Sequence, residues 1–241
     1  MGYVNVKDKA DAARAERWRH ALTGYDLERT YQQTLTKCDA REIRNHCTFG
    51  LAGEAFKTHA GLARNAEFME RYLEIQMGRF TDFGMYRDPN DPMTYDWVSR
   101  MNLTLMLHWG YAGAHAARVS ELLRRGGLTS LLFVSTTGEA PYGGRSNQQN
   151  FNEATLALIC EYEARRHVSL GNPRLAGVFK RTARLLALSI RRWLEMTPFR
   201  YNKTEFMPET GHGRDSYGYY SGYSLLIAHV GPDAASGAEV Y

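Results

Sequence analysis

Residues 138–154 (GEAPYGGRSNQQNFNEA) and 211–223 (GHGRDSYGYYSGY) concentrate side chains that can bind an anion or move a proton. The first stretch holds Tyr142, Arg145, Asn147, Gln148 and Asn150; the second holds His212, Arg214, Asp215, Tyr217, Tyr219, Tyr220 and Tyr223. Amide, guanidinium, imidazole and phenol groups set among glycines make a poor core. They make good contacts for an anionic, hydroxyl-rich ligand. Arg145 follows two glycines that allow close backbone approach, and its planar fork suits a carboxylate. Asn147 stands where an apolar helical pattern begins, a place where backbone N–H groups and the helix dipole favour negative charge. The same position suits a plain helix cap equally well. Gln148 can contact a sugar hydroxyl. Glu153 could orient an Asn or Arg, or sit as a solvated helix carboxylate.

His212, flanked by Gly211 and Gly213, is the imidazole best set for chemistry. His46, His59, His108, His115, His167 and His229 lie in helical patterns, where a hydrogen-bonded structural ring is expected, and His20 reads as surface. Tyr220 or Tyr223 can serve as general base and acid if a nearby cation lowers the phenol pKa, with Tyr223 leading. Tyr142 and Tyr219 then join Arg145, Gln148 and Arg214 as ligand contacts, although such tyrosines also pack between helices with only the hydroxyl wet. Asp215 orients His212 or Arg214, or caps the following helix.

These loops need a scaffold, and helical periodicity supplies it. Helices are expected over residues 11–35 (with a break near Thr23 and Gly24), 39–59 with Asp39 as N-cap, and from Asn65 through AEFMERYLEIQMGRF. Others follow over 97–109, 114–125, 150–168 and 173–196, the last opening on Pro173. The apolar run 128–135 reads as helix rather than strand because its neighbours are helical. RRGG at 124–127 reads as a tight connection. Three longer polar connections, 81–96, 135–148 and 197–218, read as ordered and functional. Alternating short and long connections suggest antiparallel hairpins elaborated at one end, in a single domain spanning 1–241.

Composition narrows the class. A chain of 241 residues with 44% hydrophobic and 23% charged residues can bury a real core. It has no apolar run of about 18 residues to cross a membrane. The N-terminus lacks the apolar region of a secretory signal, so a cytoplasmic location is expected unless a leader is missing. Three cysteines without metal spacing argue against a disulfide framework, and Cys160 reads as a buried thiol. Twenty-four of the 30 basic residues are Arg, yet no basic run interleaves with aromatics as a nucleic-acid groove requires. The loop around Asp88, Asn90 and Asp91 superficially suggests calcium but lacks the glycine and distal glutamate of such a loop. No metal or cofactor is expected.

Helical hairpins with polar loops on one rim resemble the (α/α) toroid of polysaccharide lyases, of the heparinase II/III-like or alginate and hyaluronate lyase-like kind. SNQQNFNEA at 146–154 resembles the helix start at which an Asn faces the substrate. HGRDSYGYYSGYS at 212–224 resembles the later His, then Tyr-Ser/Thr-Gly and a further Tyr. Gln148 stands where that family often has His, and the tyrosine spacing is one residue shorter than its commonest form. The family's helical domain is usually longer than this chain, so the resemblance implies a fragment. It also implies β-elimination on an anionic, uronate-containing polysaccharide, with Asn147, His212, Tyr220 and Tyr223 as catalytic residues.

Two rivals remain at this point. A glycoside hydrolase on the same architecture needs two carboxylates about 5 to 9.5 Å apart, with Asp82, Asp96, Glu139 and Asp215 as candidates. A non-catalytic helical module would bind glycans or a protein through the same tyrosine-rich rim. Fold analogy does not choose among them.

Overall fold

The computed structural model describes residues 2–25, Arg29, 45–88, 93–140 and 151–196. Over them the chain is α-helical. The elements are α1 (Gly2–Val6), a 3-10 turn (Lys7–Lys9), α2 (Ala12–Thr23), α3 (His46–His59), α4 (Ala66–Met77), α5 (Met93–His108), α6 (Ala116–Ser130), α7 (Phe151–Ser169) and α8 (Pro173–Met196). There is no strand among the described residues. The starts of three helices have local causes. The Arg14 amide donates to Asp11 Oδ1 at 2.8 Å, the Phe68 amide to Asn65 Oδ1 at 2.9 Å, and the Leu175 amide to Asn172 Oδ1 at 3.1 Å. Each such cap satisfies a donor that the helix cannot pair internally and contributes roughly 1 kcal/mol.

Helix α2 ends at Thr23, at the expected break, where the Gly24 amide closes the last turn on His20 O at 2.9 Å. Other sequence expectations change. Helix α3 is described from His46, while Asp39 lies outside the described residues. The connection expected over 81–96 is shorter, because Met93 already opens α5. Of the run 128–135, only its first three residues are helix. Bonds of the i→i+3 type, Leu131 N to Leu128 O, Leu132 N to Thr129 O and Phe133 N to Ser130 O, then unwind it into turns.

Residues 124–127 are not a connection. Gly126 and Gly127 lie inside α6, and close packing explains them. A Cβ on Gly126 would stand 2.2 Å from Gly84 O and 2.9 Å from Arg100 Cδ; one on Gly127 would stand 2.8 Å from Glu163 Cγ. The glycines are clearance for neighbouring groups. They are not chain breakers.

The chain divides into two compact units. One comprises Met1–Phe80 and Asn102–Glu121. Its core takes Cys47, Leu51 and Ala55 from α3, Phe68, Met69, Leu73 and Met77 from α4, and Leu103 and Met106 from α5. Burying a Leu, Phe or Met of this kind contributes roughly 1.5–3 kcal/mol. Inside this core Thr48 Oγ1 accepts from Asn102 Nδ2 at 3.0 Å and donates to Asn45 O at 2.6 Å. The buried Glu54 carboxylate accepts from the Asn65 amide at 2.7 Å, which ties the end of α3 to the start of α4, and forms an ion pair with Lys57 Nζ at 2.9 Å on α3 itself.

The other unit comprises Thr81–Met101 and Leu122–Tyr241. Here α7 and α8 pack as an antiparallel hairpin about a turn at Gly171 (φ 69°), a left-handed conformation open to glycine. Lys180 Nζ reaches Glu161 at 2.7 Å, and the His167 and Phe179 rings stack with centroids 5.4 Å apart. Trp97, Val134, Ala140, Leu156, Ile159, Cys160, Ala164, Phe179, Ala183 and Leu186 form one buried cluster.

The same substitution at two helical glycines has opposite expected signs. Gly126→Ala gains helix propensity but forces a Cβ onto backbone, so a net loss of about 1–3 kcal/mol is expected. At Gly177 the nearest atom to a new Cβ is Arg181 Nη1 at 3.5 Å, an ordinary contact. Gly177→Ala should therefore stabilise by about 0.5–1 kcal/mol. Urea denaturation of the two variants checks both signs.

Candidate functional site

The hairpin of α7 and α8 fixes where the described chain enters and leaves it. With the Gly171 turn at one end, Phe151 at the start of α7 and Met196 at the end of α8 lie at the other. The described chain therefore enters α7 and leaves α8 at the same end of the hairpin; residues 141–150 and 211–223 themselves lie outside the described residues.

The approach to the first segment is held from two sides. Residues 135–139 form a turn in which Ser135 N donates to Glu139 O at 3.0 Å, Gly138 N to Ser135 O at 3.0 Å, and Glu139 N to Ser135 Oγ at 2.9 Å. Gly138 has φ 84°, and a Cβ there would lie 2.3 Å from Leu185 O, so only glycine lets this turn rest on α8. Arg192 Nη2 donates to Thr137 O at 2.6 Å. One step later the Ala140 amide donates to Glu153 Oε1 at 3.0 Å, in the first turn of α7. Glu153 is buried, not solvated. It carries part of the mooring of the segment that precedes it.

Charge is also buried along the length of this unit. Glu153, Leu156, Cys160, Glu163 and His167, spaced by three and four, form one buried stripe of α7. Glu163 Oε2 lies 3.3 Å from Arg166 Nε. From α5, Arg100 is wholly buried and grips Asp96 with Nε at 2.9 Å from Oδ1 and Nη2 at 2.6 Å from Oδ2; Nη2 also reaches Ser130 Oγ at 2.7 Å. Ser130 Oγ in turn donates to Gly126 O at 2.9 Å, and the Tyr86 amide donates to Asp96 Oδ1. Burial pushes the Cys160 thiol up to about 12, so it stays protonated and unreactive. Burial first, and then Arg124 and Arg166, hold the His167 imidazole below its ordinary pKa.

A separate polar cluster occupies the first unit. Tyr111 Oη donates to the Glu70 carboxylate, at 2.9 and 3.0 Å from its two oxygens, and the His115 amide donates back to Tyr111 Oη at 3.3 Å. His115 Nε2 stands 3.7 Å from Glu70 Oε2. Burial and the Glu70 bond push the Tyr111 phenol up to about 12. It is a neutral donor there, so the cluster latches the chain after α5 onto α4 and does not supply a phenolate base. Burial pushes the Cys47 thiol, in the same unit, up to about 12 as well.

Tyr142, Arg145, Asn147, Gln148, His212, Arg214, Tyr219, Tyr220 and Tyr223 all lie outside the described residues, as does Asp215. Of the other carboxylates weighed for hydrolysis, Asp96 is committed to Arg100, Glu139 is half-buried in the 135–139 turn, and Asp82 is exposed. Asp88 is buried, which does not suit an open calcium loop. Among the described residues no three His, Cys, Asp or Glu side chains gather as a metal site, and no helix is long and apolar enough to cross a membrane. The expectation of hydrogen-bonded structural histidines is not met at His167 among the described residues: its ring is stacked and buried, and neither nitrogen has a hydrogen-bond partner there. His46, His59 and His108 are exposed. The buried charges were missed from sequence. Their signal was the spacing of Asp96 and Arg100 by four and the placing of Glu153, Glu163 and His167 in step with Leu156 and Cys160.

Comparison with protein-family models, curated proteins and solved structures yields no match for this chain.

Two measurements follow from the buried charges. Asp96→Asn leaves Arg100 without its counter-charge and should cost about 3–5 kcal/mol, whereas Asp82→Asn at the surface should stay within about 0.5 kcal/mol; urea denaturation separates them. His167 is neutral when folded and accepts a proton when unfolded. Its contribution to stability is therefore full above about pH 6.5 and declines as pH falls through the window between that value and the lower folded one. His167→Phe keeps the stack on Phe179 and removes the titration. Its stability should fall less than that of the wild type between about pH 6.5 and 5.

Proposed function

We propose that this chain is the helical domain of an (α/α) toroid polysaccharide lyase that cleaves a uronate-containing glycan by β-elimination. The observation that supports the reading is that the chain enters α7 at Phe151, directly after the first polar segment, and leaves α8 at Met196, before the second, at the same end of the hairpin. The moored turn at 135–140 adds a fixed approach to that end, as a site built to position charge requires.

The chemistry assigns each group a task. Removing the C5 proton of a uronate leaves negative charge on its carboxylate, and Arg145 and Asn147 are the donors that would hold that charge. His212 or Tyr223 would take the proton. The C4–O bond then breaks as the C4–C5 double bond forms, and Tyr223, or Tyr220 beside it, would return a proton to the leaving oxygen. Gln148 cannot accept a proton and serves as a hydroxyl contact, with Tyr142, Tyr219 and Arg214 along the sugar chain. The hydrolase reading loses ground because Asp96 is spent on Arg100.

An absorbance screen against a panel of uronate polymers tests the proposal. Elimination yields an unsaturated product that absorbs in the short-wavelength ultraviolet without consuming water; reducing ends without that absorbance would mean a hydrolase, and neither signal a binding module. Tyr223→Phe should remove most turnover and leave affinity nearly intact. Asn147→Ala should cost turnover worth about 3 kcal/mol with up to about 1 kcal/mol of stability as a lost cap. Wild-type rates in both folded variants would overturn the assignment.

A further inference from the structure

We infer that the outer face of α8 is an electropositive track that binds an extended uronate polymer and leads it into the groove beside the 135–139 turn. The polymer's identity rests on the lyase reading above; the track itself rests on charge and shape.

Between Pro173 and Met196 the chain carries Arg174, Lys180, Arg181, Arg184, Arg191 and Arg192 against a single acid, Glu195. The whole protein has a formal net charge of +4, so this one helix carries more than all of it. An arginine-rich composition would scatter these residues; the fold segregates them. Ala176, Phe179, Ala183, Leu186 and Ser189 face the core, and all six basic residues are exposed.

Arg181, Arg184 and Arg191, at i, i+3 and i+10, share one ridge, and the rise per residue spreads them over roughly 15 Å. A row of guanidinium groups on that scale matches carboxylates repeated along an extended sugar chain. Among the described residues no carboxylate pairs with Arg181 or Arg184. Arg191 meets Glu195 at 2.7 Å in an exposed pair that an incoming carboxylate can replace at little cost.

The ridge ends in a groove of about 450 Å³ between α8 and the 135–139 turn, lined by Thr136, Thr137, Leu185, Leu188, Arg191 and Arg192, with Glu195 at its edge. Leu185 and Leu188 are 37% and 45% exposed there. Their apolar surface suits the C–H face of a sugar ring, the threonines suit its hydroxyls, and the arginines its carboxylate. A single-stranded nucleic acid is the poorer occupant, because among the described residues this face offers no exposed aromatic ring for a base to stack on. The groove lies towards the end of α8 from which the chain continues to residues 197–223.

The test uses the full chain and fluorescently labelled oligogalacturonate and oligoalginate, with neutral dextran, single-stranded DNA and polyglutamate as comparison probes. Anisotropy titrations at two salt concentrations compare the wild type with the triple variant Arg181→Gln, Arg184→Gln, Arg191→Gln. These positions are exposed, and glutamine keeps helix propensity close to that of arginine; circular dichroism and urea denaturation verify the fold. The wild type should bind a uronate oligomer and ignore dextran. The variant should bind at least tenfold more weakly, with a shallower dependence on salt because fewer charges are neutralised on binding. Unchanged affinity in the folded variant, no uronate binding by the wild type, or tighter binding of DNA or polyglutamate would each overturn the track. Uronate binding that the variant loses, with no elimination by the wild type, supports the track and sinks the lyase reading. Elimination with unchanged binding does the reverse.

Discussion

The Asp96 carboxylate is the joint on which the second unit depends. One oxygen accepts from the Tyr86 amide and so fixes the segment entering α5; both oxygens hold Arg100 one turn further along that helix. Arg100 passes the connection to α6 through Ser130, and Ser130 passes it to the Gly126 carbonyl. A charge pair taken out of water is tolerable only when its partners are numerous and well aligned. Here that demand reaches back into the sequence. Gly126 must lack a side chain for Arg100 to pass, and Gly84 must lack one for the entering segment to rest on α6. Three separate stretches of chain, at 84–86, 96–100 and 126–130, are specified by the need to hold one buried guanidinium.

What could be read in the sequence was local. Asp11, Asn65 and Pro173 announce helix starts because a cap or a fixed φ acts within one turn, and all three stand where the residues beside them indicated. What could not be read was tertiary. Gly126-Gly127 has the signature of a chain break, and only Gly84 and Glu163, distant in sequence, show that the pair provides clearance. Glu153 looked like a solvated helix residue because periodicity reports which face a residue shares, not whether a distant amide waits on that face. The Ala140 amide does. That the chain enters α7 and leaves α8 at one end follows from the antiparallel packing of these helices, which no local pattern encodes.

The two ends of the α7–α8 hairpin therefore differ in kind. The Gly171 end is a tight turn with a capping asparagine and nothing grafted onto it. The opposite end bears the moored 135–140 turn, the buried Glu153 carboxylate, the entry to α7 and the exit from α8. A rigid frame with an elaborated end is the setting in which binding residues are commonly carried.

The two buried cysteines give this molecule built-in reporters of its own opening. Cys47 lies in the core of the first unit and Cys160 in that of the second, at 1% and 0% exposure, each with its thiol pushed up to about 12. Neither can meet an alkylating reagent until its surroundings part. The rate at which each thiol is trapped thus measures how often its own unit opens. Unequal rates would mean that the units breathe separately, and equal rates that they open as one cooperative body.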